Sequence, residues 1–293
     1  MSESGSTKVT QAHIDTYDAL GTVRVPGVFD AGFVQRLTGL LDEAVTNLRA
    51  GSFPKRTDPD PVFRDIEFED HDGYVRLVNL MPQMPALKRA ILDSPAAETV
   101  AALTGATSLR CWLDATFSKI GLAKETATPW HNDECTFSLQ GEQLPSLWIA
   151  LTDVDADNSP LQTLAGSHRD RDRYYSTFLP QGRERPPNYR PWSELLERVQ
   201  APDADIRTWT AAAGDILLIH PKTIHGAPPR RGDRAGRRLA FTLRWIGSDV
   251  LWQPNPLTLG LSPFDRHPAM TVDAPPPEEV FPVVWRRDKR SAS

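Results

Sequence analysis

Residues 214–228 read GDILLIHPKTIHGAP, and residues 237–245, beyond a short turn, read RRLAFTLRW. Asp215 to Ile219 is an apolar run behind a Gly-Asp pair. Arg238 to Ile246 mixes β-branched, aromatic and polar residues in the manner of a strand. Working outward, the same short runs between turn residues recur at Arg110 to Ile120, Leu147 to Asp153, Leu161 to Leu164 and Ile206 to Ala211. Strands of this length, with no helical stretch alternating between them, predict a barrel or a double-sheet jelly roll rather than βαβ units.

The first hundred residues read as helical instead. Ala31 to Ala50 places Phe33, Leu37, Leu40, Leu41, Ala44, Val45 and Leu48 three and four apart, with Asp30 as N-cap and Gly51 as a stop. Ala86 to Leu103 carries a second pattern, broken near Pro95, whose ring removes a backbone donor. The expectation is one domain over residues 1–293, mainly β with flanking helices. Its parts are helical support over about 12–105, a jelly-roll core over about 106–248, a Pro- and Arg-rich lid insertion over about 174–199 and a Pro-rich surface tail over 249–293.

The 40% hydrophobic and 24% charged fractions are those of an ordinary globular chain, and no stretch approaches the roughly 18 apolar residues a membrane span needs. Residues 1–10 are polar with no apolar signal core, so a cytoplasmic location is expected. A net charge of −5 argues against general affinity for nucleic acid and leaves a small-molecule substrate as the expected partner. Cys111 and Cys135 lie in runs that read as buried strands, where small core residues are expected rather than a disulfide. Oligomeric state is not legible.

Chemistry enters with Trp130-His131-Asn132-Asp133. Residues two apart on a strand share a face, so His131 and Asp133 can enter one cavity. A second histidine, His225, follows the apolar strand in GDILLIHPKTIHGAP. Two imidazoles and one carboxylate form the facial triad that holds Fe(II) with open positions for substrate and oxygen. His220 competes with His225 for the third position, and His168 in AGSH reads as a loop cap. Arg169, Arg171, Arg173, Arg183, Arg185 and Arg190 read as a solvated flank.

WHND at 130–133, LWIALTDVDADNSPLQTLAGSH at 147–168, GDILLIHPKTIHGAP at 214–228 and RRLAFTLRW at 237–245, in this order, resemble the phytanoyl-CoA dioxygenase family. VRVPGVFDAGF near the N-terminus is similar to that family's opening, and the likeness runs over about Val23 to Trp245. The resemblance implies a double-stranded β-helix (jelly-roll, cupin-like) core and dependence on Fe(II), 2-oxoglutarate and O2. His131, Asp133 and His225 match the iron ligands, because the family's distal ligand directly precedes Gly-Ala or Gly-Ser. An arginine on the next strand matches the anchor of the far carboxylate of 2-oxoglutarate. The turn PPRRGDRAG is slightly longer than the family's, so Arg237 and Arg238 compete, and Arg237 is chosen. Lys119, Trp148 and Thr128 are further expected at the cosubstrate pocket.

The implied reaction is hydroxylation of an unactivated C–H bond with release of succinate and CO2. Asp133 favours this over halogenation, for which related enzymes replace the carboxylate with a small residue. Two other readings stand beside it: a cupin-type zinc hydrolase or isomerase on the same three residues, and a jelly-roll binding module without catalysis.

Overall fold

The computed structural model describes residues 8–54, 66–71, 73–120, 126–175, 184–231, 236–255, 257 and 267–287. The chain begins with helix α1 (Gln11–Leu20), strand β1 (Thr22–Val25) and helix α2 (Ala31–Arg49). Strands β2 (Glu67–His71) and β3 (Tyr74–Val78), then helices α3 (Pro85–Leu92) and α4 (Ala96–Thr104), lead into the long strand β4 (Ser108–Lys119). Next come β5 (Thr128–His131), β6 (Leu139–Gln140), β7 (Ser146–Ala150), β8 (Leu161–Leu164), β9 (Arg173–Tyr174) and β10 (Tyr189–Arg190). Helix α5 (Trp192–Gln200) precedes β11 (Ile206–Trp209), β12 (Ile216–Ile219), β13 (His225–Ala227), β14 (Arg238–Ile246), β15 (Leu251–Trp252) and β16 (Val283–Arg286).

Two sheets face each other. The larger runs β1-β12-β7-β14-β4-β3-β2, with β16 also on β4; the smaller runs β11-β8-β13-β5. This is the expected mainly-β jelly roll with flanking helices. Alternation explains the layering. Along β14, Leu239, Phe241, Leu243 and Trp245 join the core under α1 to α4, together with Leu147, Ile149, Ile216 and Leu218 from β7 and β12. The residues between them turn the other way: Ala240, Trp148, Ala150, Leu217 and Ile219 form a second cluster between the two sheets, with Leu161 of the smaller sheet. One face of the large sheet thus anchors the helices, and its other face lines the barrel.

The Ala31 to Ala50 expectation is met by α2, where Asp30 accepts a hydrogen bond from the Phe33 amide at 2.7 Å. The break at Pro95 separates α3 from α4. Three expectations need correction. The N-terminal part is not only helical, for it supplies β1, β2 and β3; β2 is polar and sits at a sheet edge, so apolar periodicity could not reveal it. The tail is not merely superficial: Trp252, Val280 and Phe281 are buried in a cluster with Trp112 and Phe137, and β16 pairs with the first residues of β4. The supposed lid contains a parallel β9-β10 pair and α5, whose Leu195 is fully buried. Its residues 176–183, Arg183 among them, lie outside the described residues. Cys111 and Cys135 are free thiols, but Cys135 sits in a 3-10 turn, not a strand.

Candidate active site

His131 ends β5 and His225 opens β13, and the antiparallel register sets the two directly opposite each other. Their ring centroids are 4.2 Å apart. The close approach of these strands favours glycine next to His225, since a Cβ on Gly226 would lie 3.0 Å from the Thr128 carbonyl oxygen and 3.2 Å from the Trp130 ring. Asp133 reaches the same cavity by a route unlike the one expected. The strand stops at His131, and Asp133 begins a 3-10 turn that swings its carboxylate back, so a turn and not the strand pleat brings the pair together. One donor atom from each of His131, Asp133 and His225 falls within 4.8 Å of the others. Asp133 Oδ1 lies 3.7 Å from His131 Nε2.

The surroundings prepare these atoms to hold a metal. His131 Nδ1 lies 2.8 Å from the Pro129 carbonyl oxygen, and His225 Nδ1 lies 2.8 Å from that of Thr223. Both rings therefore donate through Nδ1, which turns their Nε2 atoms toward the cavity. Burial pushes the His225 imidazolium down to about 4, so the ring is neutral at pH 7. Burial works to raise the Asp133 carboxyl, but the Arg244 guanidinium and the two histidines outweigh it and hold the group well below the carboxylate range. Ser146 donates to Asp133 Oδ2 at 2.8 Å and Arg244 donates to Oδ1 at 3.0 Å. Ser146 and Arg244 are themselves cross-strand partners on β7 and β14. With two imidazole nitrogens, one ionised carboxylate and no thiolate, the donor set fits Fe(II).

His220 is excluded from this group by its own partner, since its Nε2 lies 3.0 Å from Glu142 Oε2. His168 packs on the His220 ring and bonds the Asp18 carbonyl oxygen, as a loop cap would. A separate polar cavity of about 870 Å³ is lined by Tyr17, Glu134, Glu142, His168, His220 and Lys222, without any of the three triad residues.

Further into the barrel, the structure reverses the choice between the paired arginines. Arg237 points outward and forms a two-pronged ion pair with Asp42 of α2 at 2.5 and 2.8 Å. Arg238 turns inward: it is 3% exposed, opposite Lys119 in the β14-β4 register, with its guanidinium 4.9 Å over the Trp148 ring. The physical reason is the strand period, because Leu239 and Phe241 must fill the helix-side core and their even-numbered neighbours must then face the lumen. The expected role of Arg237 is therefore withdrawn. Among the described residues Arg238 has no carboxylate partner, and its buried Nε–H finds no acceptor. Burial lowers it to about 10, still protonated at neutral pH.

Lys119, Thr128 and Trp148 gather around this guanidinium. Lys119 Nζ donates to Thr128 Oγ1 at 3.1 Å and to Ser159 Oγ at 3.0 Å, and burial with the neighbouring Arg238 charge depresses its ammonium well below the ordinary range. Arg230, also buried, is fully engaged: its guanidinium bonds Asn158 Oδ1 and the carbonyl oxygens of Lys119, Ile120 and Gly236. A buried, uncompensated cation with two polar hydroxyls nearby suits a carboxylate ligand such as the far end of 2-oxoglutarate. Ser146, Ser159 and Arg244 were not singled out from sequence. Arg244 alone carried a signal, since it shares the strand parity of Arg238.

The sequence profile of the family described as Phytanoyl-CoA dioxygenase (PhyH) matches residues 17–239. No curated protein matches the chain by sequence. Among solved structures, the carbocyclase SnoK from nogalamycin biosynthesis, titled non-heme and alpha-ketoglutarate dependent, is 19% identical with a TM-score of 0.69, covering 97% of this chain and 100% of its own. The epimerase SnoN of the same biosynthesis is 21% identical with a TM-score of 0.65 over 96% and 97%. EctD from S. alaskensis is 18% identical with a TM-score of 0.62 over 93% and 87%. These three share the fold of the chain.

Proposed function

Because the chain belongs to the phytanoyl-CoA dioxygenase family, we propose that it is an Fe(II)- and 2-oxoglutarate-dependent oxygenase that hydroxylates an unactivated C–H bond of a small molecule. The observation that carries this reading is the convergence of His131, Asp133 and His225 within 4.8 Å, in the same barrel as the Arg238 guanidinium, which has no carboxylate partner among the described residues. His131, Asp133 and His225 would hold the iron, and Arg238, with Lys119 and Thr128 beside it, would hold the cosubstrate's far carboxylate. When bound, iron with 2-oxoglutarate and O2 supplies oxidative decarboxylation to succinate and CO2, coupled to oxidation of the C–H bond.

The protein's own contribution is placement and exclusion of water. The Pro129 and Thr223 carbonyls fix the two ring orientations. Ser146 and Arg244 hold Asp133 by one oxygen each and so fix the carboxylate that would help hold the metal. Trp148 and the aliphatic cluster around it keep the lumen dry, which strengthens every charge interaction inside. The zinc hydrolase and binding-module readings give the buried Arg238 cation no task.

The test is anaerobic reconstitution with Fe(II), followed by O2-dependent release of succinate from 2-oxoglutarate. Wild type is expected to bind one Fe(II) per chain and release succinate; His131→Ala, Asp133→Ala and His225→Ala lose metal and turnover. Hydroxylation predicts a product that gains one oxygen atom. A product isomeric with its substrate would discard hydroxylation and keep the oxygenase class. Absence of succinate release with iron bound would discard both.

A further inference from the structure

Arg244 is only partly engaged. Its Nη2 bonds Asp133 Oδ1 at 3.0 Å, and its guanidinium carbon sits 5.5 Å from the Phe137 ring centroid, a ring met edge-on by Trp112 at 4.5 Å. Its Nε–H is buried with no acceptor. A guanidinium has five donors in a planar fork, and among the described residues Asp133 is the one carboxylate paired with this one. Glu134, the next acidic residue along the chain, is already paired with Arg173 at 3.2 Å.

Charge separates Arg244 from the cosubstrate. Arg238 and Arg244 share one face of β14 and lie six residues apart, roughly 20 Å along an extended strand. The charges can then be counted. A divalent metal is neutralised by Asp133 and the near carboxylate of 2-oxoglutarate, and Arg238 by the far carboxylate. Burial and the Arg238 charge depress the Lys119 ammonium, so once the metal takes the Asp133 charge, Arg244 is the cation left without a counter-charge among the described residues at the site.

We propose that Arg244 is a specificity-determining residue that binds a carboxylate of the primary substrate, so that the molecules this enzyme oxidises are organic acids. This rests on the proposed function, since it assumes that metal and 2-oxoglutarate fill the rest of the site. The geometry offers the incoming carboxylate the Nη hydrogens that Asp133 does not take, on a side chain 16% exposed and immediately beside the metal position.

The experiment uses full-length protein loaded with Zn(II), which undergoes no redox chemistry, and saturated with 2-oxoglutarate so that Arg238 is occupied. Benzoate and its uncharged isostere benzamide are titrated by ligand-observed NMR, while bound Zn(II) and 2-oxoglutarate are measured separately. Wild type is expected to prefer benzoate by about ten-fold or more, as a charge-assisted pair requires. In protein kept saturated with Zn(II) and 2-oxoglutarate, to offset a weaker hold on Asp133, Arg244→Gln should bring benzoate to the benzamide level, and Arg244→Lys, which keeps the charge, should preserve part of the preference. Equal binding of the two probes by wild type overturns the proposal. So does an undiminished benzoate preference in Arg244→Gln, which would mean that the probe sits on the metal, or loss of Zn(II) from both variants, which would make Arg244 a clamp for Asp133 alone. Failure of wild type to hold Zn(II) and 2-oxoglutarate together overturns the underlying functional reading, and the proposal with it.

Discussion

Replacing Arg238 by alanine should weaken 2-oxoglutarate by roughly 10- to 150-fold while leaving Fe(II) affinity nearly unchanged. The magnitude follows from a charge-assisted hydrogen bond to a buried carboxylate, about 1.5–3 kcal/mol, with 1.36 kcal/mol to each factor of ten. Arg238 is already stripped of water, at 3% exposure, and its Nε–H has no acceptor, so ligand binding involves little further desolvation of the protein. Arg237→Ala is the control. It removes an ion pair whose side chains are 29% and 49% exposed, which contributes about 0–1 kcal/mol to stability and nothing to cosubstrate binding. The assay is anaerobic titration of 2-oxoglutarate into the Fe(II) protein, followed through the metal-to-ligand charge-transfer band. A second readout is independent of metal: a buried cation without a counter-charge is destabilising, so ligand-free Arg238→Met should melt at or above the wild-type temperature. Loss of the tight phase in Arg237→Ala with Arg238→Ala unaffected would refute the assignment of faces along β14.

Ser146→Ala removes the donor to Asp133 Oδ2 and should weaken Co(II) or Fe(II) binding about 10-fold without unfolding the chain, measured by competitive metal titration. Gly214→Ala should cost about 3 kcal/mol or more, or prevent folding, because Gly214 has φ +95° and a Cβ there would lie 2.2 Å from the Phe29 carbonyl oxygen; chemical denaturation reads the loss. Stability of the metal-free protein should depend on pH through His225. Its folded-state value is depressed to about 4, so the unfolded chain binds the extra proton between about 4 and 6.5, and stability rises with pH across that window by about 3 kcal/mol. Asp114 acts in the opposite sense: burial pushes it up to about 6, so its contribution is fully present at low pH and lost as pH rises from about 4 through 6. The two effects nearly offset each other in the wild type, so urea titrations from pH 4.5 to 7 should show a shallow profile there and a clear fall with pH in His225→Gln, due to Asp114; identical slopes in the two proteins would rule the mechanism out.

Most of the core strands were legible because their residues are largely buried on both faces, as in β7, β12 and β14. Leu161–Leu164 and Arg238–Ile246 have the bounds read from sequence, and β4, β7, β11 and β12 differ from theirs by a few residues at most. Polar edge strands were not legible: β2, EFEDH, presents no apolar face to the eye. At the site, the three donors were visible as residue types in order, yet the turn that delivers Asp133 could not be inferred from strand periodicity. The arginine choice went wrong for a related reason. Register is set by which side chains the core claims, and Leu239, Phe241, Leu243 and Trp245 together make that claim, although each alone is uninformative. Ser146 is invisible from sequence because a buried serine on a five-residue apolar strand has no motif, only a neighbour.

The strand β4 is paired along one side by β14 and along the other by β3 and, at its start, by β16. Residues 108–110 therefore wait for residues 283–286, and residues 110–119 wait for residues 238–246. During synthesis the centre of the large sheet emerges long before the strands that cover it, and its unpaired backbone groups stand exposed through that interval. Pairings so distant along the chain slow folding, and they make residues 283–286 the segment that seals this part of the sheet. A chain stopped after Trp252 would carry every metal donor and both inward arginines, yet leave Ser108 to Arg110 as an open edge on which another chain could add a strand.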